Sequence, residues 1–228
     1  MSNKGWIILG VSVVGITIVT IYLINRNNKK MKITSFQDAE STGLVSEILN
    51  KVISREGLSK KYTDVIALDG GTVGIAHYAV GGLAELYRNM DTMKYFGKTQ
   101  QDMIANYSNK CRPSGKSGND TGWGCYSKGW WKEGFTKFVN SADSKKLQDK
   151  AFAIGKKDTI EKAISKGWIT PRQIAIAVGI ANSMGGGGFS SLASKNEWDA
   201  EKTLKAYVGS NDHRKRREEA INKFYPKK

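Results

Sequence analysis

The sequence predicts a mainly α-helical (α+β) domain with one small β-hairpin, preceded by one N-terminal transmembrane helix. Three observations support this: an uncharged run over residues 6–24, apolar residues at helical spacing in most of the remainder, and two short β-prone runs within 65–78. With 39% apolar residues and six Trp in 228 residues, the chain can build a packed core. We divide it into an anchor with a basic flank, 1–30, and one domain, 31–228.

The run "WIILGVSVVGITIVTIYLI", residues 6–24, has the length of a membrane span and contains no charged residue. As a helix it would be about 28 Å long, close to a hydrocarbon core of about 30 Å. Trp6 and Tyr22 lie near its ends, where amphipathic rings prefer the interface. The run is too long for a signal-peptide core and no small-residue cleavage site follows it. We therefore expect an uncleaved single-span anchor.

The charges around the span predict its orientation. One basic residue precedes it and four follow it closely, which favours a cytoplasmic C-terminal domain.

The first half of the domain is expected to contain two helices and a loop. Apolar spacing predicts a helix over 42–57, with Gly57 as the stop just after Glu56. A second helix is expected over 78–90, and residues 97–134 are expected to be rich in loops.

Between these helices the sequence predicts a hairpin. Residues 65–68 and 73–78 are the strand candidates, and Gly70-Gly71 is the expected two-residue turn.

The second half of the domain carries clear helix-start signals. Asp158 and Glu161 have capping-box spacing, and Thr170 followed by Pro171 predicts another N-terminus. The helix after Pro171 is apolar nearly all round, so we expect it to be buried at the centre.

Four glycines, 185–188, are expected to break that central helix. Two amphipathic helices are predicted after them, near 199–208 and 212–224.

Glu56 is the first candidate catalytic residue. Cleavage of a glycosidic bond needs an acid for the leaving oxygen and a second group that stabilises positive charge or activates water. At a helix C-terminus against apolar neighbours, burial and the helix dipole should raise the pKa of Glu56. A glutamate near a helix end is also common in ordinary structure.

Two residues, Asp64 and Asp69, compete for the role of second carboxylate. Their odd spacing puts them on opposite faces of a regular strand. Asp69 and Thr72 flank the predicted turn and would form a cross-strand pair, so Thr72 can hold a water beside Asp69. Gly74 continues that face and leaves room for a sugar ring. We prefer Asp69, with Asp64 as the alternative.

The motifs "EG", "YTD" and "TVGIAH", at residues 56–57, 62–64 and 72–77, resemble those of phage-type lysozymes. An Ala stands in place of the last glycine of that pattern, and the gap before Thr72 is longer. The stretches "DG", "TVGI" and "LAEL" are similar to chitosanases of the same superfamily. The resemblance covers roughly residues 40–225 in weak patches.

The resemblance implies a lysozyme-like two-lobed fold with Glu56 as general acid. The phage-lysozyme pattern assigns the second carboxylate to Asp64, and the chitosanase pattern assigns it to Asp69. His77 matches a position that is usually structural.

A net charge of +15 favours a polyanionic partner, and peptidoglycan is the expected one. Trp123 and Tyr126 can stack on sugar faces, and Asn182 and Ser183 can reach the floor of a cleft. Core anchoring and capping explain these four residues equally well. The mixed charges of "HRKRREE", residues 213–219, are typical of a solvated helix face, so nucleic acid is not the expected ligand.

No metal or cofactor is expected. Cys111 and Cys125 have no metal-ligand spacing, and they can form a disulfide or remain two thiols.

The sequence hypothesis is therefore a membrane-anchored peptidoglycan hydrolase or lytic transglycosylase, in a phage particle membrane or the bacterial inner membrane. The alternative is a non-enzymatic, basic structural or nucleic-acid-binding virion protein. A chitosanase is disfavoured, because its cationic polymer would be repelled by the charge of the chain.

Overall fold

The computed structural model of the chain describes residues 31–55, 60–66, 72–76, 78, 81–110 and 129–227, and within them the domain is mainly helical, as predicted. The α-helices are α1 Phe36–Ser41, α2 Leu44–Lys51, α3 Gly81–Arg88, α4 Thr92–Phe96, α5 Gln100–Lys110, α6 Gly129–Val139, α7 Ser144–Ser165, α8 Pro171–Lys195, α9 Ala200–Val208 and α10 Asp212–Phe224. A 3₁₀ turn, Ile53–Arg55, follows α2, and strands β1 Val65–Ile66 and β2 Thr72–Val73 form one antiparallel pair.

Helix α8 is the buried central helix that the sequence predicts. Thr170 caps it, with Oγ1 accepting from the Gln173 N–H at 3.3 Å while Gln173 Oε1 accepts from the Thr170 N–H at 3.0 Å. Pro171 occupies the first turn, where its missing N–H costs nothing. Every residue over 174–181 is buried, and α7 packs along the helix. The predicted helix start at Thr170 and Pro171 and the buried apolar run are confirmed.

The glycine run bends α8 without ending it. Gly185 has φ 74° and ψ 166°, which is not helical, and the chain then returns to helix as far as Lys195. Helices α9 and α10 follow within one residue of the predicted boundaries.

The predicted helix start at Asp158 is wrong. Helix α7 begins at Ser144 and runs through Asp158 to Ser165 without interruption. Phe152 and Ile160 are both buried on either side of the supposed start. Burial of one continuous face therefore carries the helix past a local capping signal.

Two further boundaries differ from the expectation. Helix α2 stops at Lys51 and the chain tightens into the 3₁₀ turn Ile53–Arg55, so the helix does not reach Glu56. The region expected to be loop-rich, 97–134, contains α5 and the start of α6.

Aromatic side chains join α3, α4 and α6. Phe135 lies at the centre, with its ring centroid 4.6 Å from that of Trp131, 4.9 Å from Phe96 and 5.7 Å from Tyr87. Trp131 is 1% exposed and its Nε1–H donates to Tyr87 Oη at 3.1 Å. Trp131 thus belongs to the core.

In the part of the chain that the structure describes, none of the helices has the length and apolar character needed to cross a membrane. The predicted span, residues 6–24, lies outside the described residues.

Candidate active site

The turn before β1 is closed by Asp64. Its Oδ2 accepts from the Lys61 N–H at 2.8 Å, and its backbone oxygen accepts from the Gly74 N–H at 2.7 Å. Asp64 is half-buried. Its carboxylate therefore contributes to holding its own turn, as Asx side chains commonly do.

The hairpin has a different register from the predicted one. Val65 pairs with Val73, and Ile66 pairs with Thr72, so five residues, 67–71, separate the strands. The expected two-residue turn at Gly70-Gly71 and the expected cross-strand pair of Asp69 with Thr72 are therefore wrong. Thr72 is half-buried opposite Ile66.

The space beside Gly74 is filled by Gln148 of α7. Gly74 is buried with φ 70°, and a Cβ there would lie 1.9 Å from Gln148 Oε1. A glycine is required both by this left-handed backbone and by the close approach. The room that we expected for a sugar ring at Gly74 is taken by a protein side chain.

Gln148 fastens the hairpin to the helices. It is fully buried; Oε1 accepts from the Ile75 N–H at 3.1 Å, while Nε2 donates to the backbone oxygen of Tyr62 and to Ser144 Oγ, both at 2.8 Å. Tyr78 Oη donates to the backbone oxygen of Gln148. Sequence reasoning missed Gln148, because nothing local distinguishes it from an exposed helical glutamine.

Tyr62 links the same turn to two helices. Its hydroxyl contacts Asn50 Oδ1 of α2 at 3.1 Å and Asp149 Oδ1 of α7 at 2.6 Å. Burial, followed by the hydrogen bond to Asp149, raises the pKa of Tyr62 well above its ordinary value. Tyr62 therefore remains a neutral donor at physiological pH.

Ser183, near the kink of α8, belongs to a polar cluster. Its Oγ lies 2.8 Å from Tyr207 Oη and accepts from Arg217 Nη1. The same Arg217 nitrogen donates to the backbone oxygen of Gly179 and, at 3.1 Å, to Tyr207 Oη. Asn182, half-buried, precedes Ser183 on the helix.

Arg217 corrects the prediction that "HRKRREE" is wholly a solvated face. Its side chain is 0% exposed. Ala220 and Ile221 are also buried, three and four residues further on, so Arg217 lies on the core face of α10. That spacing was a signal available in the sequence.

Several predicted site residues lie outside the described residues: Glu56, Asp69, His77, Trp123, Tyr126 and both cysteines. The structure places Asp64, Thr72 and Gly74 close together in the hairpin segment. Asn182 and Ser183 lie elsewhere, on helix α8. Within the described ranges, no group of three or more His, Cys, Asp or Glu side chains could hold a metal ion.

No family model matches this sequence, and comparisons with curated proteins and with solved structures each found no match.

Proposed function

We propose that the chain is a peptidoglycan-degrading glycosidase with Glu56 as its general acid. Residues 6–24 would anchor it in the membrane of a phage particle or in the bacterial inner membrane. The observation that carries this proposal is the closure of the two loops that contain the acidic candidates.

The loop around Glu56 has fixed ends. The backbone oxygen of Ser54 accepts from the Lys60 N–H at 3.0 Å, which brings the chain back on itself within six residues. Ser54 in turn donates from Oγ to the backbone oxygen of Asn50, at 2.5 Å. Covalent geometry keeps Glu56 within about 4 Å of Arg55, Cα to Cα. The 3₁₀ turn before it packs against α10, so the loop starts from the helical body.

The loop around Asp69 is closed by the hairpin. Its ends, Ile66 and Thr72, are register partners, and Asp69 is three residues from each. The turn of Asp64 connects the two closed loops along the chain. The two loops have ends fixed by a backbone hydrogen bond and by strand pairing, and each carries one acid; glycoside cleavage needs such a pair of groups.

The second carboxylate is best assigned to Asp69. Asp64 already accepts from the Lys61 N–H, a contact that explains its presence by turn formation. The resemblance of "EG", "YTD" and "TVGIAH" to phage-type lysozymes supports the assignment of Glu56. A lytic transglycosylase needs only this acid, because a hydroxyl of the sugar itself can close on the anomeric carbon.

The test is digestion of purified peptidoglycan by the full chain in detergent, with products identified by mass spectrometry. Glu56→Gln should lower the cleavage rate by about 10²–10⁴-fold, the usual contribution of a general acid. Glu40→Gln, at an exposed glutamate of α1, is the matched control and should remain active. Undiminished cleavage by Glu56→Gln would exclude this site.

Product masses and the aspartate variants separate the mechanisms. Hydrated reducing ends indicate hydrolysis, and products lighter by one water indicate transglycosylation. Asp69→Asn should abolish hydrolysis but spare transglycosylation. Asp64→Asn should act mainly through stability, and selective loss of hydrolysis in that variant would transfer the role to Asp64.

The charge of +15 favours a second candidate, a non-enzymatic membrane-anchored protein that binds nucleic acid or organises a particle. Tight DNA binding that weakens steeply with salt, with no peptidoglycan cleavage, would support this candidate over the enzyme.

A further inference from the structure

A half-buried tryptophan with two lysines over its ring lies at the carboxyl end of α7. The ammonium groups of Lys162 and Lys166 lie 5.9 and 5.5 Å from the ring centroid of Trp198. Both lysines are exposed, and neither forms an ion pair with a carboxylate in the part of the chain that the structure describes. We call these three residues the tryptophan patch.

The core holds the tryptophan of this patch in place. Its ring centroid lies 6.3 Å from that of Trp168 and 6.0 Å from that of Phe189, and both of these residues are buried. Trp168 Nε1–H donates to the backbone oxygen of Trp198 at 2.5 Å, and the Trp198 backbone is left-handed, with φ 57°. A bulky residue keeps such a backbone only where its surroundings fix it. The patch is therefore fixed on the domain, with part of Trp198 left exposed.

The chain enters the domain next to this patch. The Ile33 N–H donates to the backbone oxygen of Ile169 at 2.7 Å, so the start of the domain lies against the connection between α7 and α8. Lys166 precedes Ile169 by three residues, which is at most about 11 Å along an extended backbone. The tryptophan patch and the entry point of the chain therefore share one end of α7.

The predicted span places a membrane close to that entry point. Ile33 is nine positions beyond Ile24, the last residue of the apolar run. Nine residues reach about 30 Å when fully extended, and a flexible chain of that length spans about 15–18 Å on average. A domain of this size has a radius of gyration of about 16 Å. So short a connection keeps the end of the domain that carries Ile33 near the bilayer.

The composition of the patch suits the surface of an anionic bilayer. Tryptophan prefers the membrane interface, and lysines close to an anionic leaflet are attracted to its headgroups. Basic residues at positions 26, 29, 30 and 32 add to this attraction. Glu197 and Asp199 flank the tryptophan, but Glu197 pairs with Lys202 at 3.5 Å and Asp199 accepts from the Lys202 N–H as the cap of α9. Both carboxylates thus have contacts of their own.

We infer that Trp198, Lys162 and Lys166 dock the domain on the anionic phospholipid headgroups of the membrane that holds the anchor. The inference rests on the anchor in the proposed function and does not depend on cleavage of peptidoglycan.

Docking at this patch sets the direction in which the candidate active site faces. The hairpin segment is attached at Gln148, which lies fourteen residues before Lys162 on α7. That separation is about 21 Å along the helix axis. With the patch on the bilayer, the hairpin segment is held at the end of α7 away from the lipid.

The test compares the full chain in vesicles of phosphatidylcholine alone with the full chain in vesicles of phosphatidylcholine and phosphatidylglycerol in equal parts. Flotation first establishes that the chain is bound to the vesicles. Lysines are then acetylated with acetic anhydride, and the rates are read peptide by peptide by mass spectrometry. Lys162 and Lys166 should be labelled several-fold more slowly in the anionic vesicles, because lipid headgroups cover their amines. Lys146, exposed near the other end of α7, is the matched control and should keep its rate.

A pair of variants links the protection to the patch. Lys166→Gln changes an exposed residue just after α7, so it should fold normally, and it should weaken the protection of Lys162 in anionic vesicles. Lys146→Gln removes the same charge from the distant end of the helix and should leave that protection unchanged.

The outcomes separate docking from the anchor and from the enzyme. Equal protection of Lys162 in both kinds of vesicle, or equal protection of Lys146, would overturn the docking. Flotation without protection would overturn the docking alone, and a chain that does not float would overturn the anchor and the docking together. Protection in a chain that cleaves no peptidoglycan would overturn the proposed enzyme and leave the docking standing.

Discussion

The first half of α8 and the hairpin segment are held in the domain by different forces. Residues 174–181 are all buried and apolar, so hydrophobic burial spread over many contacts fixes that half of the helix. The hairpin has two residues in each strand, and a few polar contacts attach it to α7, with the buried side chain of Gln148 at their centre. A helix held by many small contacts resists single changes locally, whereas a hairpin held by a few polar contacts, of Gln148, Tyr62 and Tyr78, depends on each of them.

The largest expected effect is in the helical body. Ile176→Ala removes a side chain that is 0% exposed, and it should lower the free energy of unfolding by about 2–5 kcal/mol through lost burial and the cavity left behind. Chemical denaturation followed by circular dichroism measures this. Ile154→Ala, at an isoleucine 40% exposed on α7, is the matched control and should cost far less. Equal effects would show that the centre of α8 is not the stabilising core.

A substitution in the hairpin should open the hairpin locally without unfolding the helical body. Gly74→Ala places a methyl group against Gln148 Oε1 and should displace the amide from the Ile75 N–H. We expect hydrogen exchange of the Ile75 amide to become faster, corresponding to about 2–4 kcal/mol, while α8 stays protected.

Gly43→Ala separates backbone strain from the clash with Gln148. Gly43 has φ 72° and open space around its missing Cβ, so only strain of about 1–2 kcal/mol is expected there. If both alanine variants cost the same, the contact of Gly74 with Gln148 contributes nothing.

The smallest effect concerns an ion pair on the helical body. Arg172 Nε donates to Glu201 Oε1 at 2.6 Å, and this hydrogen bond lowers the pKa of Glu201 below its ordinary value of 4.5. The stabilisation is therefore complete above the unfolded-state pKa and is lost as the pH falls through the lower folded-state pKa.

Glu201→Gln should flatten the dependence of stability on pH in that acid range and cost less than about 1 kcal/mol at neutral pH, because the pair is partly solvated. Thermal unfolding at a series of pH values measures both. A larger loss at neutral pH would mean that ionic contacts, and not apolar burial alone, hold α8 in place.

Parts of the fold that depend on neighbouring residues were predictable. The box formed by Thr170 and Gln173 starts α8 where expected, and α9 and α10 follow the apolar spacing. The hairpin was predicted as a motif, but its register was wrong, since register depends on which residues face the helices. Of the site, a hairpin near Thr72 was predicted, but Thr72 was placed beside the turn and not in the strand that it occupies; the turn closed by Asp64 and the anchoring role of Gln148 were not predicted.

The sequence by itself determined the helical class, the start of α8 and the burial of its first half, because caps and apolar periodicity act within one or two turns of chain. Only the tertiary structure decided which groups of α8 and α9 Arg217 contacts, that Gln148 fills the space beside Gly74 and that α7 continues through Asp158. Each of these depends on a partner far away in the sequence. Burial against such a partner outweighs a local signal that is worth about 1 kcal/mol.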